Sequence, residues 1–195
     1  MDIEYIKDNY KFETLTEDHD LSKFECESED LNDFLKNDAL KQQKEKLNLT
    51  KLITCDGKII GFVSLLTDSM KLKLLRNEFE KGKIKEKLNI SENNPIPSIK
   101  IGRFAIDKKY AGKGLGTYFL RGILANIIKI AENNVGLRFV VVEGYVSAYN
   151  FYVTHNNFKN LKKDEKIIEK IDTIKKQDPT RTFYLYYDLK DLDLD

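Results

Sequence analysis

A glycine-rich segment in the middle of the chain lies between an apolar run and a long segment of periodic apolar residues. The run covers residues 99–106, and Gly112, Gly114 and Gly116 follow it. This order is typical of a strand, a turn and a helix. At such a junction several backbone N–H groups point to one place beside the positive end of the helix dipole, where they bind phosphate. Glycine lets a ligand approach those amides closely. The segment therefore predicts a phosphate or pyrophosphate site for a nucleotide-like cofactor.

The spacing of the glycines excludes two common nucleotide loops. A nucleoside triphosphatase loop needs Gly-x-x-x-x-Gly-Lys-Ser/Thr, which 112–117 does not provide. A dinucleotide loop needs Gly-x-G-x-x-Gly with an acid about 20 residues further on, whereas these glycines alternate and an apolar helix follows. A plain glycine-rich loop without a ligand is the structural alternative.

The loop resembles the acyl-coenzyme A loop of the GNAT superfamily of N-acetyltransferases, Gln/Arg-x-x-Gly-x-Gly/Ala. Gly114 and Gly116 match this motif, whereas Ala111 stands where Gln or Arg is usual. The resemblance implies that backbone groups of the preceding strand pair with the pantetheine arm of acetyl-CoA like an added strand. It also implies that the loop amides bind the pyrophosphate, with added charge from the lysine. The implied contacts are Phe104, Ala105 and Ile106 for pantetheine, and Ala111, Gly112, Lys113, Gly114, Leu115, Gly116 and Thr117 for pyrophosphate.

A second segment, 147–158, resembles the GNAT motif Ala-x-x-Phe-Tyr-x-x-x-Gly-Phe. The matches are Ala148, Phe151, Tyr152 and Phe158, and Asn157 replaces the glycine. Asparagine is the other residue that readily adopts the left-handed conformation at a helix end. The resemblance assigns to Tyr152 the proton donor for the departing thiolate, a role that a phenol within hydrogen-bond reach can perform. The alternative is an aromatic helix face packed in the core.

The amino-terminal part resembles the GNAT toxins of type II toxin–antitoxin systems. The matching segments are 24–35, with the pattern Phe-x-Cys-x-x-x-x-Leu-x-x-Phe-Leu, and 101–106, Ile-Gly-Arg-Phe-Ala-Ile. Those toxins acetylate the amino group of aminoacyl-tRNA and are inhibited by a small ribbon-helix-helix antitoxin. The resemblance therefore implies both an aminoacyl-tRNA acceptor and an antitoxin. Without the later motifs, 24–35 would be taken as an ordinary capped helix.

Composition places few constraints on partners. The 195 residues carry a net charge of +1, so composition does not require nucleic-acid binding, and any basic surface must be local. Cys26 and Cys55 have no metal-ligand pattern, and no signal segment or apolar run of about 18 residues is found. We expect one domain, 1–195, without a metal or membrane contact, in the cytoplasm, and a homodimer is compatible with it.

The remaining pattern predicts the elements that position these motifs. Ser28 caps a helix that continues into the 40s. Asp56-Gly57 joins two antiparallel strands. The lysine-rich stretch 71–94 is either a helix or a mobile insertion. A buried helix face and two later strands, 137–145 and 182–187, complete the pattern; the face consists of Leu115, Phe119, Ile123, Ile127 and Ile130.

Candidate bases for deprotonating the acceptor amine are few. Glu143 is one candidate, although it could instead be an ion-paired residue at a strand end. His155 is expected to be merely exposed, and His19 to lie in an acidic loop. An α-amine, with a pKa of about 8, needs a base less than a lysine amine at about 10.4. The acidic backbone of tRNA would be held by lysines within 71–87 and 159–163, unless these only pair with Glu78, Glu80, Glu86 and Asp164.

These observations predict an α/β GNAT fold with a mixed, mostly antiparallel sheet flanked by helices and splayed at the cofactor strand. The predicted activity is direct transfer of an acetyl group from acetyl-CoA to a primary amine, with charged tRNA as the toxin-like acceptor. Two alternatives stay open, namely a metabolic or protein amine acetyltransferase without an antitoxin and a non-catalytic CoA-binding sensor.

Overall fold

The computed structural model describes residues 1–162 and 168–191. These group into two compact units, Met1–Leu66 with Ile101–Gly122 and Thr67–Lys100 with Ile123–Asp195. A seven-stranded sheet has the order β1-β2-β3-β4-β5-β7-β6. The strands are β1 Lys11–Thr14, β2 Leu49–Cys55, β3 Lys58–Lys71, β4 Pro95–Ile106, β5 Phe139–Tyr145, β6 Lys159–Asn160 and β7 Thr182–Asp188. The α-helices are α1 Ile3–Asn9, α2 Glu29–Asp33, α3 Ala39–Lys44, α4 Glu78–Leu88, α5 Leu115–Asn133, α6 Tyr149–Asn156 and α7 Ile171–Gln177.

The predicted hairpin is confirmed in the first unit. β2 and β3 pair antiparallel up to Cys55 opposite Lys58. Asp56 and Gly57 have φ values of 48° and 70°, and two positive φ values are the signature of the turn whose twist suits a two-residue hairpin.

Helices cover both faces of the sheet in the first unit. On one face, Leu52, Phe62 and Ala105 pack with residues of the α2–α3 region. On the other face, Ile53 and Cys55 pack with α1 and with the start of α5. The opposite directions of successive side chains in a strand produce this division. The end of β4 is therefore sandwiched between the two helical layers.

The capped helix is also confirmed, with one feature that the sequence did not predict. The Ser28 hydroxyl accepts from the Leu31 N–H at 3.4 Å, and helical structure continues to Lys44. Between α2 and α3 the turn Phe34–Asp38 is π-helical. At the end of α3, Lys46 has a φ of 62°, a left-handed conformation that favours glycine.

In the second unit, β5 pairs antiparallel with β7, and β7 pairs with β6. All three valines of 140–142 are buried, as expected for a strand covered on both faces. A core cluster brings together residues of β5, β7 and the lysine-rich stretch, where Ile84 of α4 is 6% exposed. The stretch is thus a packed helix with flanking strand ends. Whether it is an insertion relative to the family stays a prediction, as does the single-domain assignment.

One detail of the pattern was wrong. Ile130 was assigned to the buried face of α5 but is 36% exposed, because the apolar stripe ends before the last turn. Within the lysine-rich stretch, Leu72 and Leu75 are buried and precede α4, and Leu72 lies in a 3-10 turn, since β3 continues to Lys71. None of the helices among the described residues is both long and apolar enough to cross a bilayer.

Candidate active site

Asp107 anchors the start of the predicted coenzyme loop. Its side chain is buried, and its two carboxylate oxygens accept from the Lys109 N–H at 2.9 Å and the Glu25 N–H at 3.1 Å. Its carbonyl accepts from the N–H groups of Tyr110 and Ala111 at 2.9 Å and 3.1 Å. A buried carboxylate is stable only when its oxygens are hydrogen-bonded in this way. Asp107 therefore fixes the path of the backbone into the loop, a role that the sequence interpretation did not assign.

The loop glycines adopt the conformations that the motif requires. Gly112 has a φ of +71° and Gly114 a φ of +79°, and a Cβ atom at either position would meet nothing within 4 Å. The positive φ values favour glycine at both positions, and the absence of side chains leaves open space beside the loop.

The start of α5 completes the anion-binding geometry. The first intrahelical hydrogen bond of α5 runs from the Tyr118 N–H to the Gly114 carbonyl at 3.2 Å. The N–H groups of Leu115 and Gly116 precede it and lie at the positive end of the helix dipole. Lys113 is exposed and donates to the Lys109 carbonyl at 2.9 Å, so its ammonium group lies over the loop.

The strand predicted to pair with pantetheine is positioned by a close approach of β3. A Cβ on Gly61 would lie 2.6 Å from the Ala105 carbonyl oxygen, so only glycine fits there. Ala105 is buried on the α2–α3 face, whereas Phe104 and Ile106 pack on the α5 face. The backbone therefore passes from this fixed end of β4 through Asp107 directly into the loop.

Tyr152 lies in α6, within the second unit, and its ring is almost fully buried. The ring makes edge contacts with Phe151 and Phe158, at centroid distances of 4.9 Å and 5.4 Å. Burial raises the pKa of the Tyr152 hydroxyl well above its usual value. The phenol is therefore protonated at physiological pH.

The Tyr152 ring packs against Gly144 of β5. A Cβ at Gly144 would lie 3.3 Å from Cε2 and 3.5 Å from Cδ2 of Tyr152. Gly144 was not among the residues predicted from the sequence. The presence of glycine at this position could have indicated its role, because glycine inside a buried strand often marks a place where another group packs closely against the backbone.

The end of α6 matches the prediction made from the asparagine that replaces glycine. Asn157 is left-handed, with a φ of 58°, and its N–H reaches the Tyr152 carbonyl. The Phe158 N–H donates to the same carbonyl at 3.0 Å. This arrangement is a helix C-terminus of the kind that usually contains glycine, and it fixes the backbone of Tyr152.

Glu143 is ion-paired, in agreement with the second of its two interpretations. Its Oε2 accepts from the Lys100 ammonium at 2.7 Å, and its Oε1 accepts from the Thr182 hydroxyl at 3.3 Å. Partial burial would raise the pKa of Glu143, but hydrogen bonds from Lys100, Tyr184 and Thr182 outweigh it, so the net pKa is lowered. A carboxylate with a lowered pKa is a weak base for an amine.

The other predicted side chains have ordinary environments. His155 is exposed, and His19 is half-buried with its Nδ1 2.8 Å from the Thr16 hydroxyl. Several lysines of the predicted tRNA surface are ion-paired. Some of their partners are the predicted Glu78 and Glu80, and Glu92 is a partner that was not predicted. These pairs are Lys81 with Glu78 and Glu92, Lys85 with Glu92, Lys159 with Glu80 and Asp191, and Lys162 with Glu78. Lys163 and Asp164 lie outside the described residues.

Comparison with known proteins identifies the fold. No protein-family model matches the chain. A mutant of KacT with one tyrosine replaced by phenylalanine matches with a TM-score of 0.73 and 20% identity, covering 94% of this chain and 96% of that one. AtaT complexed with acetyl-methionyl-tRNAfMet matches with a TM-score of 0.71 and 21% identity over the same shares, 94% and 96%. The chain has the GNAT fold.

A sequence relative agrees with the structural matches. A tRNA-acetylating toxin of Mycobacterium tuberculosis (strain ATCC 25618 / H37Rv) is 26% identical over 141 residues, covering 72% of this chain and 78% of that protein. A further AtaT structure contains acetyl-CoA and the C-terminus of the antitoxin AtaR. The resemblance to GNAT toxins that the motifs indicated is thus confirmed.

Proposed function

We propose that this protein is an N-acetyltransferase that transfers the acetyl group of acetyl-CoA to the amino group of an aminoacyl-tRNA. The observation that carries the proposal is the loop before α5, where Gly112 and Gly114 have positive φ and the first amides of the helix are presented together. The similarity to a tRNA-acetylating toxin supports the acceptor.

The residues present suit acetyl-CoA. The space beside Gly112 and Gly114 is open, and the N–H groups of Leu115 and Gly116 can bind a pyrophosphate there. Ala111 supplies no side-chain contact where the motif usually has Gln or Arg, so the backbone and the exposed Lys113 must supply the binding. The AtaT structure with acetyl-CoA supports this assignment of the co-substrate.

The proposed chemistry needs one positioned proton donor. Acetyl-CoA supplies the acetyl group as a thioester. The amine nitrogen forms the new C–N bond and releases one proton to solvent, while the C–S bond breaks and the departing sulfur takes up one proton from a protein donor that regains its proton from solvent. Tyr152 gives that proton, because its buried hydroxyl is neutral at physiological pH and packing against Gly144 and Phe158 holds its ring.

The proposals of charged tRNA as the acceptor and of an antitoxin as the partner are based on the relatives and on the local charge of this chain. Lys71, Lys73 and Lys87 are exposed and make no ion pair with any described residue, so they can contact phosphates. AtaT binds acetyl-methionyl-tRNAfMet and the C-terminus of its antitoxin. We therefore expect an antitoxin for this protein too, and a cytoplasmic location, where charged tRNA is found.

A second candidate is an amine acetyltransferase that acts on a metabolite or a protein and has no antitoxin. The net charge of +1 and the ion pairs of Lys81, Lys85, Lys159 and Lys162 favour it, because they leave few cations for tRNA.

Transfer of label from radiolabelled acetyl-CoA distinguishes the two candidates. The acceptors are total charged tRNA, deacylated tRNA, lysine peptides and polyamines. We expect label on charged tRNA alone, with a rate that falls steeply with salt, by a log–log slope of about −0.7 to −0.9 for each phosphate neutralised. Label on peptides or polyamines without label on charged tRNA would establish the second candidate instead.

A further inference from the structure

Arg103 is an exposed cation on β4, the strand that leads into the coenzyme loop. Its guanidinium lies over the Phe34 ring, 5.1 Å from the centroid, and its Nη1 donates to the Gly102 carbonyl at 2.8 Å. Phe34 is buried in the same cluster as Ala105, so Arg103 and Ala105 lie on one face of β4, as the alternation of side chains in a strand requires. Stacking on a buried ring and one hydrogen bond thus hold a side chain that is otherwise flexible.

The ring beneath Arg103 is fixed by the turn between α2 and α3. Phe34 begins the π-helical turn Phe34–Asp38, in which the Ala39 N–H donates to the Phe34 carbonyl. The Phe34 ring also stacks on Phe62, with ring centroids 6.2 Å apart. Single π-helical turns occur frequently at functional sites. Two elements, β4 and this turn, therefore determine where the guanidinium lies.

Arg103 has no carboxylate within ion-pair distance in the part of the chain that the structure describes. Three lysines of the same unit differ from it, because each pairs with a glutamate: Lys7 with Glu4, Lys44 with Glu17 and Lys108 with Glu25. A guanidinium has five N–H donors, and the bond to Gly102 uses one of them. The remaining donors form a planar fork, whose geometry matches that of a phosphate.

The proposed binding mode of acetyl-CoA places Arg103 at the reacting end of the coenzyme. In that mode, pyrophosphate is held by 111–117 and pantetheine pairs with the backbone of 104–106. The coenzyme then runs back along β4 away from the loop, and Arg103 is the next residue in that direction. The acceptor amine must reach the thioester at this end. Arg103 is therefore placed to contact the acceptor and not the pyrophosphate.

We propose that Arg103 binds the last phosphodiester of charged tRNA, an inference that rests on the proposed function. In an aminoacyl-tRNA the amino acid is esterified to the ribose of the terminal nucleotide, so this phosphate is the anion nearest to the reacting amine. Lysine peptides and polyamines have no phosphate beside their amines. A bidentate contact from Arg103 thus favours charged tRNA over them, although the net charge of the chain is only +1.

The rate of acetyl transfer to subsaturating charged tRNA tests the contact. Arg103→Gln should lower kcat/KM for charged tRNA about tenfold, since a hydrogen bond to a charged group is worth at least that factor. Its log–log salt dependence should become shallower by about 0.7, the value for one phosphate of a single strand. The affinity for acetyl-CoA in calorimetry should stay within about twofold.

Two variants serve as controls for charge. Arg103→Lys retains the charge but loses the planar fork, so it should keep the salt dependence and recover only part of the lost rate. Arg121→Gln is the matched control, because Arg121 is exposed on α5, which packs on the other face of the sheet. It should transfer acetyl to charged tRNA as the unmodified protein does.

A charged tRNA with a neutral methylphosphonate at its last linkage identifies the phosphate. The unmodified protein should acetylate it about tenfold more slowly than ordinary charged tRNA, whereas Arg103→Gln should acetylate both at the same rate. If Arg103→Gln still distinguished the two acceptors, or lost no more rate than Arg121→Gln, the contact would be overturned and the proposed function would stand. If the unmodified protein transferred no acetyl group to charged tRNA, the proposed function would be overturned and the contact with it.

Discussion

Replacing Gly144 by alanine should displace the Tyr152 ring without touching the coenzyme loop. The new Cβ would lie 3.3 Å from Cε2 and 3.5 Å from Cδ2 of the ring. Carbon atoms in good contact are about 3.5–4.0 Å apart, so the ring must move by roughly 0.2–0.7 Å. Since a misplacement of 1 Å can cost about 10²-fold in rate, this shift should lower kcat by roughly 2.5- to 25-fold.

Steady-state kinetics with acetyl-CoA and the acceptor measure this effect. The KM for acetyl-CoA should stay within about twofold, because only the proton donor has moved. Overpacking should lower the free energy of unfolding by ~1 kcal/mol, which thermal denaturation will report. Gly136→Ala is the matched control, because a Cβ there meets nothing within 4 Å, and it should leave kcat unchanged.

The double variant Gly144→Ala/Tyr152→Phe decides whether the effect passes through the hydroxyl. If Gly144 only positions the phenol, adding Gly144→Ala to Tyr152→Phe should change kcat by less than about twofold. A full additional loss in that background would show that Gly144 affects turnover through general packing and not through the position of the phenol.

Three further predictions concern the loop, the candidate base and stability. Gly114→Glu should abolish acetyl-CoA binding in calorimetry, because it places a carboxylate and a side chain at a φ of +79°, whereas Gly82→Glu on α4 should bind normally; unchanged affinity in the Gly114 variant would remove the coenzyme assignment. Glu143→Gln should keep kcat within about threefold, since Glu143 is ion-paired, and a loss of 10²–10⁴-fold would instead mark a general base. Lys46→Gly should raise the free energy of unfolding by about 0.5–1 kcal/mol, because Lys46 has a φ of 62°, while Glu45→Gly, at a φ of −79°, should lower it in the same chemical denaturation experiment.

Features set by a few neighbouring residues could be predicted from the sequence. Asp56-Gly57 specified a turn with two positive φ values, and Ser28 specified a helix cap. Asn157 at a glycine position indicated a left-handed helix end, which the structure contains. In each case the local chemistry of the residue determines the backbone conformation.

Features that depend on distant contacts could not be predicted in this way. Asp107 looked like the residue after a strand, and its role arises because the Glu25 backbone comes to its carboxylate from 82 positions earlier. The contact of Gly144 with Tyr152 depends on how α6 packs on β5. Lys159 looked like a cation available for tRNA, but tertiary packing places Glu80 and Asp191 beside it. Ion pairs between distant segments have no pattern in a single sequence.

We propose that Tyr152 protonates the departing sulfur when acetyl passes from a coenzyme bound at the 111–117 loop to charged tRNA. The single-turnover rate of acetyl transfer to charged tRNA by Tyr152→Phe tests this role, with acetyl-CoA affinity measured by calorimetry on the same preparations. We expect a rate lower by about 10²–10⁴-fold with an affinity within a few-fold of the unmodified protein. A near-normal rate in the Tyr152→Phe variant would show that Tyr152 is a core residue and not the proton donor.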